Sequence, residues 1–239
     1  MRADNPSPYT LVGTNTWLVG RNPCWVVDPG PDLPAHADAL AAAAGVRGGV
    51  GGIVLTHGHL DHAGGVELLR ERTGAPAPRR DATALGPLRA LATGGHAPDH
   101  VVYVAGRVAF TGDAVLGRGS VFVAPGPGAL RGYLAALEEL RAMDLELLCP
   151  GHGPVIADPA DRLAAYVEHR LARERALVAA LDEGLRGVDE ILDRVWADAP
   201  ATLRAAATIT LAAHLGKLEE EGRLPDGVER PVLPSLPTV

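Results

Sequence analysis

The 239-residue chain is 47% hydrophobic but only 4% aromatic, so aliphatic side chains must fill its core, and its modest charge excludes disorder of the whole chain. A net charge of −7 argues against broad, sequence-independent nucleic-acid binding, although a local basic groove stays open. Two cysteines, Cys24 and Cys149, are too few for a disulfide framework and read as buried free thiols.

Along the chain, short Val- and Leu-rich runs bounded by Gly, Pro or Asp predict strands at Thr16–Val19, Cys24–Asp28, Gly52–Thr56, Val101–Val104, Val108–Thr111 and Leu145–Cys149. Helices are expected between them at Pro34–Ala44, Gly64–Arg72 and Gly128–Met143, the last carrying Leu130, Leu134, Leu137 and Leu140 at helical spacing. This alternation predicts a layered α/β architecture. From Pro159 to Leu224 the pattern turns almost wholly helical. Leu163, Val167, Leu171, Leu177 and Leu181 are expected on one face of a long helix that Gly184 or Gly187 ends. Helices at Val188–Trp196 and Leu203–Glu221 follow, with Gly222 placed to stop the second. The expected organisation is a main domain over residues 1–157, a helical appendage over 158–224 and a Pro-rich tail over 225–239, read as a loop or extended strap. The N-terminus lacks the apolar core of a signal peptide, and no apolar run approaches the ~20 residues that span a bilayer, so a cytoplasmic protein with no membrane partner is expected.

Chemistry concentrates in Ile53-Val54-Leu55-Thr56-His57-Gly58-His59-Leu60-Asp61-His62-Ala63-Gly64-Gly65. An apolar strand runs into six residues that hold three imidazoles and a carboxylate, the donor set of Zn²⁺ and its borderline neighbours. A helix cap at Asp61 would account for one of these four residues, not for the cluster. His57 and His59 could aim at one ion while Asp61 and His62 face a second. Further donors come from Thr93-Gly94-Gly95-His96-Ala97-Pro98-Asp99-His100, from Phe110-Thr111-Gly112-Asp113 and from Leu147-Leu148-Cys149-Pro150-Gly151-His152-Gly153. Each follows or ends a predicted strand, as ligands on a rigid scaffold should.

Together the HGHLDH run and the downstream GGHAPDH, FTGD and CPGHG segments resemble the metallo-β-lactamase superfamily. Asn5-Pro6-Ser7-Pro8, Gly13-Thr14-Asn15-Thr16-Trp17-Leu18-Val19, Val27-Asp28-Pro29-Gly30 and Gly112–Gly117 are similar to its lactamase-beta-like-two, glyoxalase-two-like subgroup. So are His169-Arg170 with Arg173-Glu174-Arg175, and Leu211 to Glu219. The resemblance implies an α/β fold, the four-layer αβ/βα sandwich, with a small C-terminal winged-helix-like domain. It also implies two divalent metal ions, expected to be Zn²⁺: His57, His59 and His96 on one, Asp61, His62 and His152 on the other, and Asp113 bridging. His96 rather than His100 matches the family pattern. Two departures stand out: Ala97 replaces a hydroxyl residue beside His96, and the stretch from Gly65 to His96 is short, as if a strand pair or covering loop were trimmed.

The implied activity is metal-dependent hydrolysis by a hydroxide held between two ions, with Asp61 orienting the nucleophile or carrying a proton to the leaving group. Asp28 reads equally as a partner orienting a metal histidine or as a turn former. A small-molecule ester, thioester or lactone is the favoured substrate. Single-stranded RNA is the alternative partner and would need a basic groove from Arg79, Arg80, Arg162, Arg170, Arg173 and Arg175. These arginines read better as a solvated helix face interleaved with Glu168 and Glu174. A non-enzymatic nucleic-acid-binding regulator using Leu203–Gly222 is less favoured, because core packing explains that helix better.

Overall fold

A computed structural model describes residues 1–78 and 85–234. Two sheets form. In the first, β1 (Trp17–Val19) pairs antiparallel with β2 (Cys24–Val27), which runs parallel to β3 (Val50–Val54). In the second, β4 (Arg89–Ala92), β5 (Val101–Ala105) and β6 (Val108–Gly112) are antiparallel neighbours, and β6 runs parallel to β7 (Leu147–Pro150).

The inner faces meet through Val27, Val54, Tyr103, Phe110 and Cys149. On the outer face of the first sheet, Val26 and Ile53 pack against Leu40 of α1 (Pro34–Gly45) and Leu69 of α3 (Val66–Thr73). On the other side, Val102, Ala109 and Leu148 pack against α4 (Ala129–Ala142) and α5 (Pro159–Asp182). The result is the expected four-layer αβ/βα sandwich. Both cysteines are buried and free, and among the described residues no helix is long and apolar enough to cross a membrane. β4 had no counterpart in the predicted elements: its burial runs exposed, half-buried, half-buried, exposed, so the four residues carry no alternation to read.

Helix α5 corrects one expectation. Leu171 is 36% exposed, and the buried face runs instead through Leu163, Tyr166, Arg170, Glu174, Leu177 and Leu181. That series keeps to one helical face, whereas Leu171 lies a further 100° round. Arg170 and Glu174 are therefore not part of a solvated surface. The first half of α5 packs on the main core; its second half joins α6 (Val188–Val195) and α7 (Arg204–Glu220) around Leu177, Leu181, Ile191, Leu211, Leu215 and Leu218. Gly184 (φ 94°) and Gly222 (φ 65°) take the left-handed conformation just beyond α5 and α7. The described part of the tail, 225–234, forms no regular structure and straps back through the Glu229 amide, which donates to the Arg186 carbonyl at 2.9 Å.

His214 of α7 is fully buried, neither ring nitrogen has a hydrogen-bond partner among the described residues, and burial pushes its pKa down to about 3. The imidazole is neutral when folded but titrates near 6.5 when unfolded. Its contribution to stability is therefore complete above about pH 6.5 and is lost as pH falls toward 3, a loss of about 2 kcal/mol by pH 5. We predict that the urea midpoint of the wild type drops more between pH 7 and pH 5 than that of His214→Leu. Equal drops would contradict this role.

Candidate metal centre

Each sheet contains one parallel pair, and the carboxyl ends of both pairs point at one edge of the sandwich. Parallel β2 and β3 bring Asp28, one residue past β2, against Thr56, two past β3. Parallel β6 and β7 do the same for Asp113 and His152. Between β3 and the short helix α2 (Leu60–Ala63) the loop carries His57 and His59, and α2 turns Asp61 and His62 inward, both buried. The Asp61 carboxylate does not cap α2; its Oδ2 lies 3.1 Å from His152 Nε2.

The hydrogen bonds fix how most of the rings present themselves. Asp28 accepts at Oδ1 from the Thr56 amide and at Oδ2 from the Thr56 hydroxyl, both at 2.7 Å. With its proton spent on Asp28, the Thr56 hydroxyl accepts from His57 Nδ1 at 3.1 Å. Asp28 Oδ2 also accepts from His62 Nδ1 at 2.8 Å. His96 Nδ1 donates to the Phe122 carbonyl and His152 Nδ1 to the Gly13 carbonyl, both at 3.4 Å. In all four rings Nδ1 holds a proton facing outward and Nε2 faces the centre. Asp28 settles in this way both alternatives left open for it: it orients two histidines, and it does so from a turn conformation at φ 53°.

The inward atoms crowd together. His57 Nε2 lies 3.0 Å from His59 Nδ1, and His96 Nε2 lies 3.1 Å from the same atom. His62 Nε2 and His152 Nε2 are 3.3 Å apart. Asp113 Oδ1 is 3.4 Å from each of those two, while its Oδ2 is 3.6 Å from His96 Nε2. Three donor groups result, His57–His59–His96, His57–His62–Asp113 and Asp61–His62–His152, each with its ligand atoms within 4.8 Å of one another. All seven expected residues thus meet in one place.

His100 stands apart. Its Nε2 accepts from the Asp113 amide at 3.1 Å and its Nδ1 meets the Thr93 hydroxyl at 2.8 Å, so both nitrogens are occupied in holding the Asp113 turn. Sequence reasoning missed Thr56 and Phe122 as supports; Thr56 adjoins His57, but nothing local marks Phe122. The Gly13-Thr14-Asn15 run also finds its reason, because the Asn15 side chain donates to the Pro150 and Gly153 carbonyls on either side of the His152 loop.

Burial disfavours charge throughout, holding His57 well below its ordinary pKa and His96 down to about 4. For His62 and His152 the same burial is overridden by the carboxylates, Asp113 foremost, which raise His62 well above its usual value and His152 to about 9. Asp113 is itself held well below the carboxylate range by His152 and His62 in spite of its burial. Such a pocket favours positive charge. At Gly151 an added Cβ would fall 2.6 Å from Asp113 Oδ1 and His62 Cε1, so only glycine lets this backbone approach the centre.

A cleft of about 610 Å³ opens over His59, His96 and Asp113. Tyr9, Leu11, Leu60, Phe122, Trp196 and Leu203 line it, and through Trp196 and Leu203 the helical appendage contributes directly. The arginines offered for a basic groove are engaged. Arg162 donates to the Leu116 and Gly119 carbonyls, Arg170 to the Val121 carbonyl, Arg173 pairs with Asp198 at 2.6 Å and Arg175 pairs with Glu168. Arg79 and Arg80 lie outside the described residues.

The sequence matches the metallo-beta-lactamase superfamily model over residues 9–89 and 83–152, and the beta-lactamase associated winged helix domain over 188–225. It is 31% identical to a beta-lactamase-like protein 2 homolog of Caenorhabditis elegans, over 91% of this chain and 82% of that protein. It is also 31% identical to an atrochrysone carboxyl ACP thioesterase of Aspergillus novofumigatus, over 76% of this chain but only 62% of the thioesterase. Among solved structures, a metallo-beta-lactamase family protein from Thermus thermophilus superposes with a TM-score of 0.70 at 28% identity, covering 91% of this chain and 92% of the other.

Asp28 carries one prediction. In chelator-treated protein, Asp28→Asn removes a charge 2.8 Å from His62 Nδ1, so the His62 pKa measured by NMR should fall relative to wild type. An unchanged His62 titration would show that Asp28 does not act on it.

Proposed function

The chain belongs to the metallo-beta-lactamase superfamily, and from that premise we propose that this metallo-hydrolase holds two ions and cleaves acyl substrates of the thioester, ester or lactone class. The observation that carries the reading is the commitment of the ring protons. With Nδ1 donating outward in His57, His62, His96 and His152, four Nε2 atoms converge with the buried Asp61 and Asp113 carboxylates, which draw positive charge onto His62 and His152. Bound cations would supply that charge.

In this reading His57, His59 and His96 hold one ion, Asp61, His62 and His152 hold the other, and Asp113 lies between. Asp113 fits that place, since among the described residues its buried Oδ1 has no hydrogen-bond partner, and its two oxygens face different histidines. Imidazole nitrogen and carboxylate oxygen suit Zn²⁺ or a borderline neighbour. When bound, the ions would supply Lewis acidity, polarising the acyl carbonyl and lowering the pKa of water toward ~7.

The protein's own groups do the rest. Asp28 and Thr56 keep the rings oriented. Leu60, Phe122, Trp196 and Leu203 offer the acyl chain an apolar bed beside the centre. Hydrolysis joins the water oxygen to the acyl carbon and breaks the C–S or C–O bond, and the surplus proton must reach the departing thiol or alcohol. Asp61, buried with Oδ2 3.1 Å from His152 Nε2 and 3.4 Å from the Thr14 hydroxyl, is the carboxylate assigned to carry it. The thioesterase relative supports the acyl class. Single-stranded RNA finds less support, because Arg162, Arg170, Arg173 and Arg175 are spent on carbonyls and carboxylates.

A panel of acyl-thioesters, esters, lactones and a single-stranded RNA, with and without chelator, tests this reading. Chelator-sensitive turnover of an acyl substrate is expected, with Asp113→Asn lowering kcat/KM by about 100-fold or more. RNA cleavage without acyl turnover would overturn it. Trp196→Ala should raise KM about tenfold for a long acyl chain while leaving kcat near wild type, since it removes apolar contact away from the reacting carbon.

A further inference from the structure

His96 sits in a loop that lacks regular structure and lacks a hydroxyl neighbour at Ala97. What holds it is segment 121–124, here called the strap, which lies outside any regular element and alternates buried and half-buried residues as an extended chain does. Successive peptide groups of an extended chain face opposite ways, and so do successive side chains. The strap uses both alternations. Val121 and Val123 side chains are buried in the main core at 6% and 0% exposure, while Phe122 turns its ring to His96 with centroids 4.4 Å apart.

Its peptide groups divide in the same way. Toward the metal centre, the Phe122 carbonyl accepts from His96 Nδ1 at 3.4 Å and the Ala124 amide donates to the Gly95 carbonyl at 2.8 Å. Toward the appendage, the Val121 carbonyl accepts from Arg170 of α5 and the Val123 amide donates to the Thr210 hydroxyl of α7 at 3.4 Å. Four consecutive residues thus tie two helices on one side to one histidine loop on the other.

Arg170 strengthens the case. A guanidinium at 2% exposure is costly unless paired, yet among the described residues it has no ion-pair partner and its Nε lacks any hydrogen bond. Its contacts include the Val121 carbonyl and Tyr133, whose ring centroid lies 5.9 Å away. Tyr133 is in turn the ring on which Gly95 rests, where an added Cβ would come within 2.5 Å. Arg170 therefore braces the His96 loop twice, through the strap and through Tyr133.

We propose that Arg170 and Thr210 are positioning residues for His96, through which the helical appendage tunes one of the two metal sites. This rests on His96 being a ligand, as argued above. The test uses the full chain loaded with Co²⁺. Thr210→Val, which removes the strap hydroxyl without changing volume, and Arg170→Met should each release one equivalent to a chelator about tenfold faster or more. The second equivalent should leave at the wild-type rate, and Thr210→Ser should restore the first. In metal-free protein, the ¹⁵N shifts of the His96 ring should show the Nδ1–H tautomer in the wild type and a mixture in both variants. Wild-type release rates together with an unaltered His96 tautomer in folded Thr210→Val would overturn the proposal. A changed tautomer with no metal bound even by the wild type would uphold the bracing of His96 and overturn the tuning of a metal site.

Discussion

A single buried carboxylate organises the centre. Asp28 accepts from the Thr56 amide, the Thr56 hydroxyl and His62 Nδ1, and through that hydroxyl it also fixes His57. One residue thereby sets the tautomers of histidines assigned to different ions. It can do so because β2 and β3 are parallel neighbours whose carboxyl ends coincide, which places Asp28 beside the turn that begins the HGHLDH run. The second sheet repeats the device with β6 and β7, so that two independent strand pairs aim their four carboxyl ends at a common edge.

The helical appendage completes that edge. Trp196 and Leu203 of the appendage line the cleft together with Tyr9, Leu11 and Leu60 of the main domain. The same helices reach the histidines through Arg170, Thr210 and the strap. The cleft and the His96 loop are thus both linked to a unit whose own core lies around Leu177, Ile191, Leu211 and Leu215.

Much of this was legible because the relevant signals are local. His57, His59, Asp61 and His62 fall within six residues, and Asp113 and His152 each follow a predicted strand through a glycine. The alternation of strand and helix likewise predicted a layered α/β architecture, and the family resemblance implied the sandwich. What escaped is non-local. β4 exists through pairing with β5 rather than through any pattern in Arg89–Ala92. Arg170 and Glu174 look like surface residues until α5 is seen wedged between two cores. Phe122 supports His96 through its backbone carbonyl, which no side-chain type can advertise. Asp28 was ambiguous for a related reason: its neighbours Pro29 and Gly30 say turn, and only strand pairing reveals Thr56 and His62.

The most direct measurement is anomalous scattering from crystals of the wild-type protein grown with Zn²⁺. The account predicts two peaks, one among His57, His59 and His96, the other among Asp61, His62 and His152, with Asp113 touching both. A single ion leaving Asp113 uncoordinated, or an empty pocket with the metal bound elsewhere, would contradict it.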